Sequence, residues 1–251
     1  MGIPSGPQQG SALTGQRRLD IAAGTDVGHK YSENYDVLHI DLDRPLLLVA
    51  DGMGAGEGSR AAGRTTAEVL VPALRAIATI DPQSLRAAVD EAAAAVRAAG
   101  TTIAGLTGCT LAAIVLDGPT GWIVQMGDSR VYRLRDGWLE LLTIDHTAAW
   151  LGLTHGFLHA GAPDTQRASY QLHRYMGHPA NPEPDLLAVA LRPGDVLLAC
   201  TDGISDQLAY AQLSEILAGP GSPTDLLALL LAAAEAAGGN DNATAAVVRI
   251  S

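Results

Sequence analysis

Aromatic side chains are scarce in this chain of 251 residues: they make up 4% of it, with a single phenylalanine, although hydrophobic residues together reach 47%. A sizeable core is therefore expected, and it must be built from Ala, Leu and Val rather than from rings. Cysteine is rare as well. Cys109 and Cys200 both fall inside apolar runs, which excludes a disulfide-stapled scaffold and reads as two buried thiols. Positive charge is in short supply: 16 Lys and Arg stand against 27 Asp and Glu, a net charge of −11. That balance argues against a general nucleic-acid binder, which needs a basic face to displace counterions. No run reaches the roughly 18 apolar residues that cross a bilayer, so no membrane span is expected. The richest run, Leu226 to Ala234, stops at Glu235 and reads as a packed helix. Residues 1–15 carry Gly, Pro, Ser and Gln without the apolar stretch of a signal peptide. The expectation is a disordered tail over 1–18 and a single domain over 19–251, in a monomeric, cytoplasmic protein.

Apolar stretches at 19–27, 37–42 and 45–50 predict three strands, and the Ala-rich segments 57–80 and 82–99 predict two helices. Four more strands follow at 107–116, 121–126, 130–135 and 138–142. Asp136-Gly137 between the last two is a strong hairpin signal. The pattern weakens over 145–184, which holds five of the seven histidines and reads as a helix-containing flap or insertion. Strands at 186–191 and 196–201, helices near 210–218 and 223–237, and a strand at 243–250 complete the chain. Strands come in consecutive runs with helices in pairs between them. That grouping predicts an α+β fold of antiparallel sheets covered by helices, not a regular βαβ alternation.

The chemistry is carried by aspartates beside glycine or asparagine. Asp36 stands in Asn34-Tyr35-Asp36, Asp51 in Asp51-Gly52-Met53-Gly54, Asp202 in Thr201-Asp202-Gly203 and Asp241 in Asn240-Asp241-Asn242. Leu46 to Ala50 leads into Asp51, and Leu197 to Thr201 leads into Asp202. Carboxylates delivered at strand ends, without His or Cys, suit hard divalent cations such as Mg²⁺ or Mn²⁺. Gly127-Asp128-Ser129-Arg130 adds a fifth carboxylate between two predicted strands.

These motifs, in this order, together with Thr25-Asp26-Val27-Gly28, Gly108-Cys109-Thr110-Leu111 and Pro193-Gly194-Asp195, resemble the metal-dependent protein phosphatases, the type 2C serine/threonine phosphatases, over about residues 20–250. The resemblance implies a four-layer αββα sandwich, with two antiparallel sheets face to face between helix pairs. It implies two Mn²⁺ or Mg²⁺ ions, with Asp51 bridging both and the Gly52 carbonyl and Asp36 on one ion. Asp202 and Asp241 would hold the other ion, and Asp128 would help Asp202 hold a possible third. It implies hydrolysis of phosphoserine and phosphothreonine by a metal-bound water, on phosphoproteins made by a serine/threonine kinase.

The chain departs from the family pattern at its substrate end. The phosphate-gripping Arg expected three residues before Asn34 is Tyr31, and the acidic residue before Asp36 is Tyr35. Lys30 is the neighbouring positive charge available to a substrate phosphate, though an ammonium does not reproduce a planar guanidinium fork. The loop after Asp51 continues as Ala55-Gly56-Glu57 without the His seen in many relatives, so no protein general acid is assigned. His29 and His146 are the nearest substitutes by motif, and His146 reads as a brace for the flap. Two other readings remain at this point. One is a phosphatase-like module that binds phosphoproteins without turnover; the other is a structural Ca²⁺-binding protein.

Overall fold

The computed structural model describes residues 7–251. Eleven strands form two fully antiparallel sheets. The first takes the order β1 (Gln8–Thr14), β2 (Arg17–Asp26), β11 (Ala243–Ile250), β10 (Val196–Cys200), β7 (Arg130–Arg135) and β8 (Trp138–Leu141). The second takes the order β3 (Val37–Asp41), β4 (Leu46–Ala50), β5 (Leu111–Asp117), β6 (Thr120–Met126) and β9 (Asp185–Ala190).

Strand periodicity explains why the sheets need cover on both sides. All five residues of β4 are buried. Leu47 and Val49 join the cluster between the sheets, whereas Leu46, Leu48 and Ala50 face a helix layer. In β10, Leu197 and Ala199 point between the sheets, while Val196, Leu198 and Cys200 point to the opposite helix layer. Successive side chains of a strand leave on opposite faces, so a strand apolar throughout must be sandwiched. The outer layers are α1 (Glu57–Ala76) with α2 (Pro82–Gly100) on one side, and α6 (Tyr210–Ala218) with α7 (Pro223–Ala236) on the other. The result is the expected four-layer αββα sandwich.

Local signals set the boundaries. Asp81 caps α2 by accepting from the backbone N–H groups of Gln83 and Ser84 at 2.8 and 2.9 Å. Ser222 and Asp225 form the equivalent box at α7. Asp136 and Gly137 take φ values of 51° and 79°, the two positive values that a two-residue hairpin requires between β7 and β8. The segment between β8 and β9 carries two short helices, α3 (Ala148–Thr154) and α4 (Pro163–Ser169), and no strand.

Two features differ from the sequence expectation. The tail expected over 1–18 is largely structured: Gln8–Thr14 is an edge strand paired antiparallel with Arg17–Ala23, and only residues 1–6 lie outside the described residues. Polar residues dominate this strand because it borders a single neighbour and buries only Ala12 and Thr14. A four-residue helix, α5 (Asp202–Ser205), also opens immediately after Thr201.

Candidate metal centre

Strand ends deliver the five aspartates to one end of the sandwich. Asp51 follows β4, Asp202 opens α5 after β10, Asp241 precedes β11, Asp36 precedes β3 and Asp128 sits in the turn between β6 and β7. Asp51, Asp128, Asp202 and Asp241 line one cavity of about 560 Å³ together with Gly52, Tyr31 and Lys30. Asp36 lies beneath it, 8% exposed, where its Oδ2 accepts a hydrogen bond from the Thr201 hydroxyl at 2.8 Å.

The backbone around these groups is held by short polar side chains. Thr110 clamps Asp51 from both sides: its N–H donates to the Asp51 carbonyl at 2.8 Å, and its Oγ1 accepts from the Asp51 N–H at 2.8 Å. The same Oγ1 shares a 2.6 Å hydrogen bond with Ser129, tying the end of β4 to the residue after Asp128. Asn34 accepts from the Asp36 N–H at 3.0 Å, and Asn242 accepts from the Tyr35 N–H at 2.7 Å. Two glycines make the close approach possible. A Cβ on Gly52 would lie 2.8–2.9 Å from Ser59 and the Tyr35 carbonyl, and one on Gly203 would lie 1.9 Å from the Asn242 carbonyl.

Charge is crowded here. Burial, the larger cause, pushes the Asp36 carboxyl up to about 8, against the hydroxyls of Thr244 and Thr201. Burial and the neighbouring Asp36, Asp202, Asp128 and Asp241 raise Asp51 well above the carboxylate range. Asp128 is pushed up to about 8 by burial and then by Asp202, Asp145 and Asp206, and Asp202 to about 6 by burial and then by Asp241 and Asp206. Asp36 Oδ1 and Asp202 Oδ1 are buried with no hydrogen-bond partner. Carboxylates that are buried, mutually repelling and partly orphaned are a fit for cations. Among the described residues, no group of three such side chains closes as a ready protein shell. What bears on the kind of cation is the donor set: carboxylates and a backbone carbonyl, without His or Cys, suit Mg²⁺ or Mn²⁺ and not Zn²⁺.

The remaining sequence candidates divide. Lys30 lines the cavity, with its Nζ 3.3 Å from Asp241 Oδ2 and 4.6 Å from the Tyr31 ring centre. His29 and His146 do not line it. The backbone N–H of His29 donates to the Gly239 carbonyl, and its ring faces Glu235 at 3.9 Å. His146 is 3% exposed; its Nδ1 accepts from the Gly127 N–H at 3.1 Å, so its Nε2 donates to Asp185 at 3.1 Å. This is the brace expected of it. Sequence reasoning missed the clamping roles of Thr110 and Thr201, and it missed Asp206. A second carboxylate four residues after Asp202, at the residue that ends the short helix α5, was the available signal for Asp206.

A family model described as protein phosphatase 2C matches residues 24–230. The serine/threonine protein phosphatase PstP of Mycobacterium tuberculosis is 32% identical over 243 residues, covering 92% of this chain; the chain spans about half of that relative, 45% of its length. The serine/threonine phosphatase stp of Listeria welshimeri is 26% identical, covering 88% of this chain and 91% of the relative. Among solved structures, the catalytic domain of PstP in complex with two manganese ions superposes with a TM-score of 0.82 at 30% identity, covering 94% of this chain and 99% of that one.

Proposed function

The chain belongs to the protein phosphatase 2C family, and from that premise we propose that it is a metal-dependent phosphatase acting on phosphoserine and phosphothreonine in proteins. The observation that carries this reading is the gathering of five carboxylates at one end of the sandwich, with buried oxygens of Asp36 and Asp202 left without a partner. Asp51 would serve both ions, with the Gly52 carbonyl and Asp36 holding one of them and Asp202 and Asp241 the other, and Asp128 with Asp202 would hold a third. When bound, Mn²⁺ or Mg²⁺ supplies the Lewis acidity that makes water nucleophilic near neutral pH and offsets phosphoryl charge.

The chain's own residues orient and bind. Thr201 occupies one oxygen of Asp36 and leaves the other for a cation. Thr110 fixes the backbone that presents Asp51 and Gly52. Lys30 is the one Lys or Arg among the described residues lining the cavity, so it is the group that meets the substrate phosphate, as a point charge and not as a fork. Among the described residues, no imidazole lines the cavity to protonate a departing alkoxide. The expected substrates are phosphoproteins made by a serine/threonine kinase, and the expected form is a cytoplasmic monomer.

The test is nitrophenyl phosphate hydrolysis with Mn²⁺, Mg²⁺ or chelator, beside a phosphothreonine peptide. Turnover should require metal. Because a nitrophenolate leaves without a proton, its kcat/KM should exceed that for the peptide by about tenfold or more. Absence of metal-dependent turnover would sink the enzymatic reading. Equal efficiency on the peptide would sink the weakened leaving-group chemistry.

A further inference from the structure

A second cavity, of about 720 Å³, lies between the flap helices and the sheet that carries β7 and β8. It backs onto the metal centre without sharing its carboxylates. Arg130, two residues after Asp128, forms part of its lining, as does Asp206, whose backbone N–H donates to the Asp202 carbonyl at 2.8 Å. Five large apolar side chains that line it are exposed: Leu141, Ile144, Trp150, Leu153 and Tyr210. Exposed large apolar groups scattered singly need no explanation, but a cluster around one concavity marks a binding surface.

The charges in the lining say what kind of occupant fits. Arg130 is already matched: its Nε and Nη2 donate to the two oxygens of Asp145 at 2.9 and 2.6 Å. Asp206 stands 3.8 Å from the same guanidinium, beyond hydrogen-bond reach, with its side chain 49% exposed. One negative charge is therefore left over among apolar walls. A nucleic acid brings the wrong sign. A second copy of this chain, at a net charge of −11, also meets repulsion. We propose that this groove docks an extended peptide segment of a partner protein that carries Lys or Arg beside bulky apolar side chains, the cation meeting Asp206 and the apolar groups meeting Trp150, Leu153 and Tyr210.

The test needs neither metal nor phosphate, so its outcome is separable from that of the phosphatase assay. The probe is an unphosphorylated, end-blocked octapeptide with two Leu and two Lys, and its twin has Glu in place of Lys. Calorimetry on the full chain in chelator should show saturable binding of the Lys probe. The Glu twin should bind at least about tenfold more weakly. Leu153→Lys, a change at a partly exposed position, should weaken the Lys probe by about tenfold or more. Trp150→Ala should weaken both contact and affinity by roughly fivefold to tenfold. Hydrolysis of nitrophenyl phosphate by Leu153→Lys should stay within about twofold of the parent, since the substitution touches nothing in the metal centre. No binding of the Lys probe at millimolar concentration, equal binding of the two peptides, or unchanged binding to Leu153→Lys would each overturn the proposal. So would a dimer in sedimentation that Leu153→Lys dissociates, because the groove would then be covered by a second copy.

Discussion

The two cavities on either side of the segment Asp128–Arg130 and helix α5 treat charge in opposite ways. In the groove under the flap, the partly buried cation Arg130 donates two hydrogen bonds to Asp145, and Asp206 stands near it. In the candidate metal centre, five carboxylates converge and the described residues lining the cavity offer a single ammonium, Lys30. The same contrast recurs at the far end of the sandwich, where the buried Asp195 is matched by Arg135 at 2.7 and 2.6 Å. Charge matched inside the protein acts as architecture; charge left unmatched and buried waits for something brought from outside.

The strongest way to break this contrast is to remove unmatched charge. Asp202→Ala should lower Mn²⁺-dependent nitrophenyl phosphate hydrolysis by at least about 100-fold, since even partners of metal ligands cost 10–100-fold. In chelator, the same variant should melt higher than the parent by about 2–4 °C, because one repelling carboxylate is gone. A lower melting temperature in chelator would contradict the idea that these carboxylates are uncompensated.

Next in size is the matched pair. Arg130→Met leaves Asp145 behind, its side chain only 16% exposed and without its cation, and should cost about 3 kcal/mol in denaturant unfolding. A cost below about 0.5 kcal/mol would place the pair with weak surface contacts instead.

A pH series tests the same point more gently. The carboxyl groups of Asp36 and Asp128, pushed up to about 8, and of Asp202, pushed up to about 6, hold protons in the folded chain that the unfolded chain has released. Their stabilising contribution is full below the unfolded carboxylate value of about 4 and is lost as pH rises through the folded values. In chelator, the melting temperature should therefore fall between pH 5 and pH 8, by roughly a few degrees. Saturating Mn²⁺ should flatten or reverse that slope, because a cation replaces the protons.

What could be read from the sequence depended on how far the partners lie apart along the chain. Asp51 and Asp202 were legible because each is joined covalently to a strand that is buried on both faces, Leu46–Ala50 and Val196–Cys200. The hairpin at Asp136-Gly137 was legible because both residues tolerate positive φ. The strand Gln8–Thr14 was not, because an edge strand needs few apolar residues and its polar composition resembles a tail. The groove was also illegible. Arg130 comes to stand near Asp206 because β7 pairs with β10 so that Arg130 faces Cys200, a register that no local pattern announces. The double clamp of Thr110 on Asp51 depends in the same way on Gly52 lying opposite Cys109.

The position of β11 has a consequence in time. This strand, the last of the fold, lies between β2 and β10 in the middle of its sheet, and Asp241 stands just before it. Until residues 243–250 have left the ribosome, β2 and β10 face an empty slot, and the hydrophobic layers on both sides of the sheet lack Ala245, Val247 and Val248. The final carboxylate and the final wedge of the core thus arrive together. By this order of synthesis, the five aspartates of the candidate site and the closed sandwich are complete only once this strand has emerged.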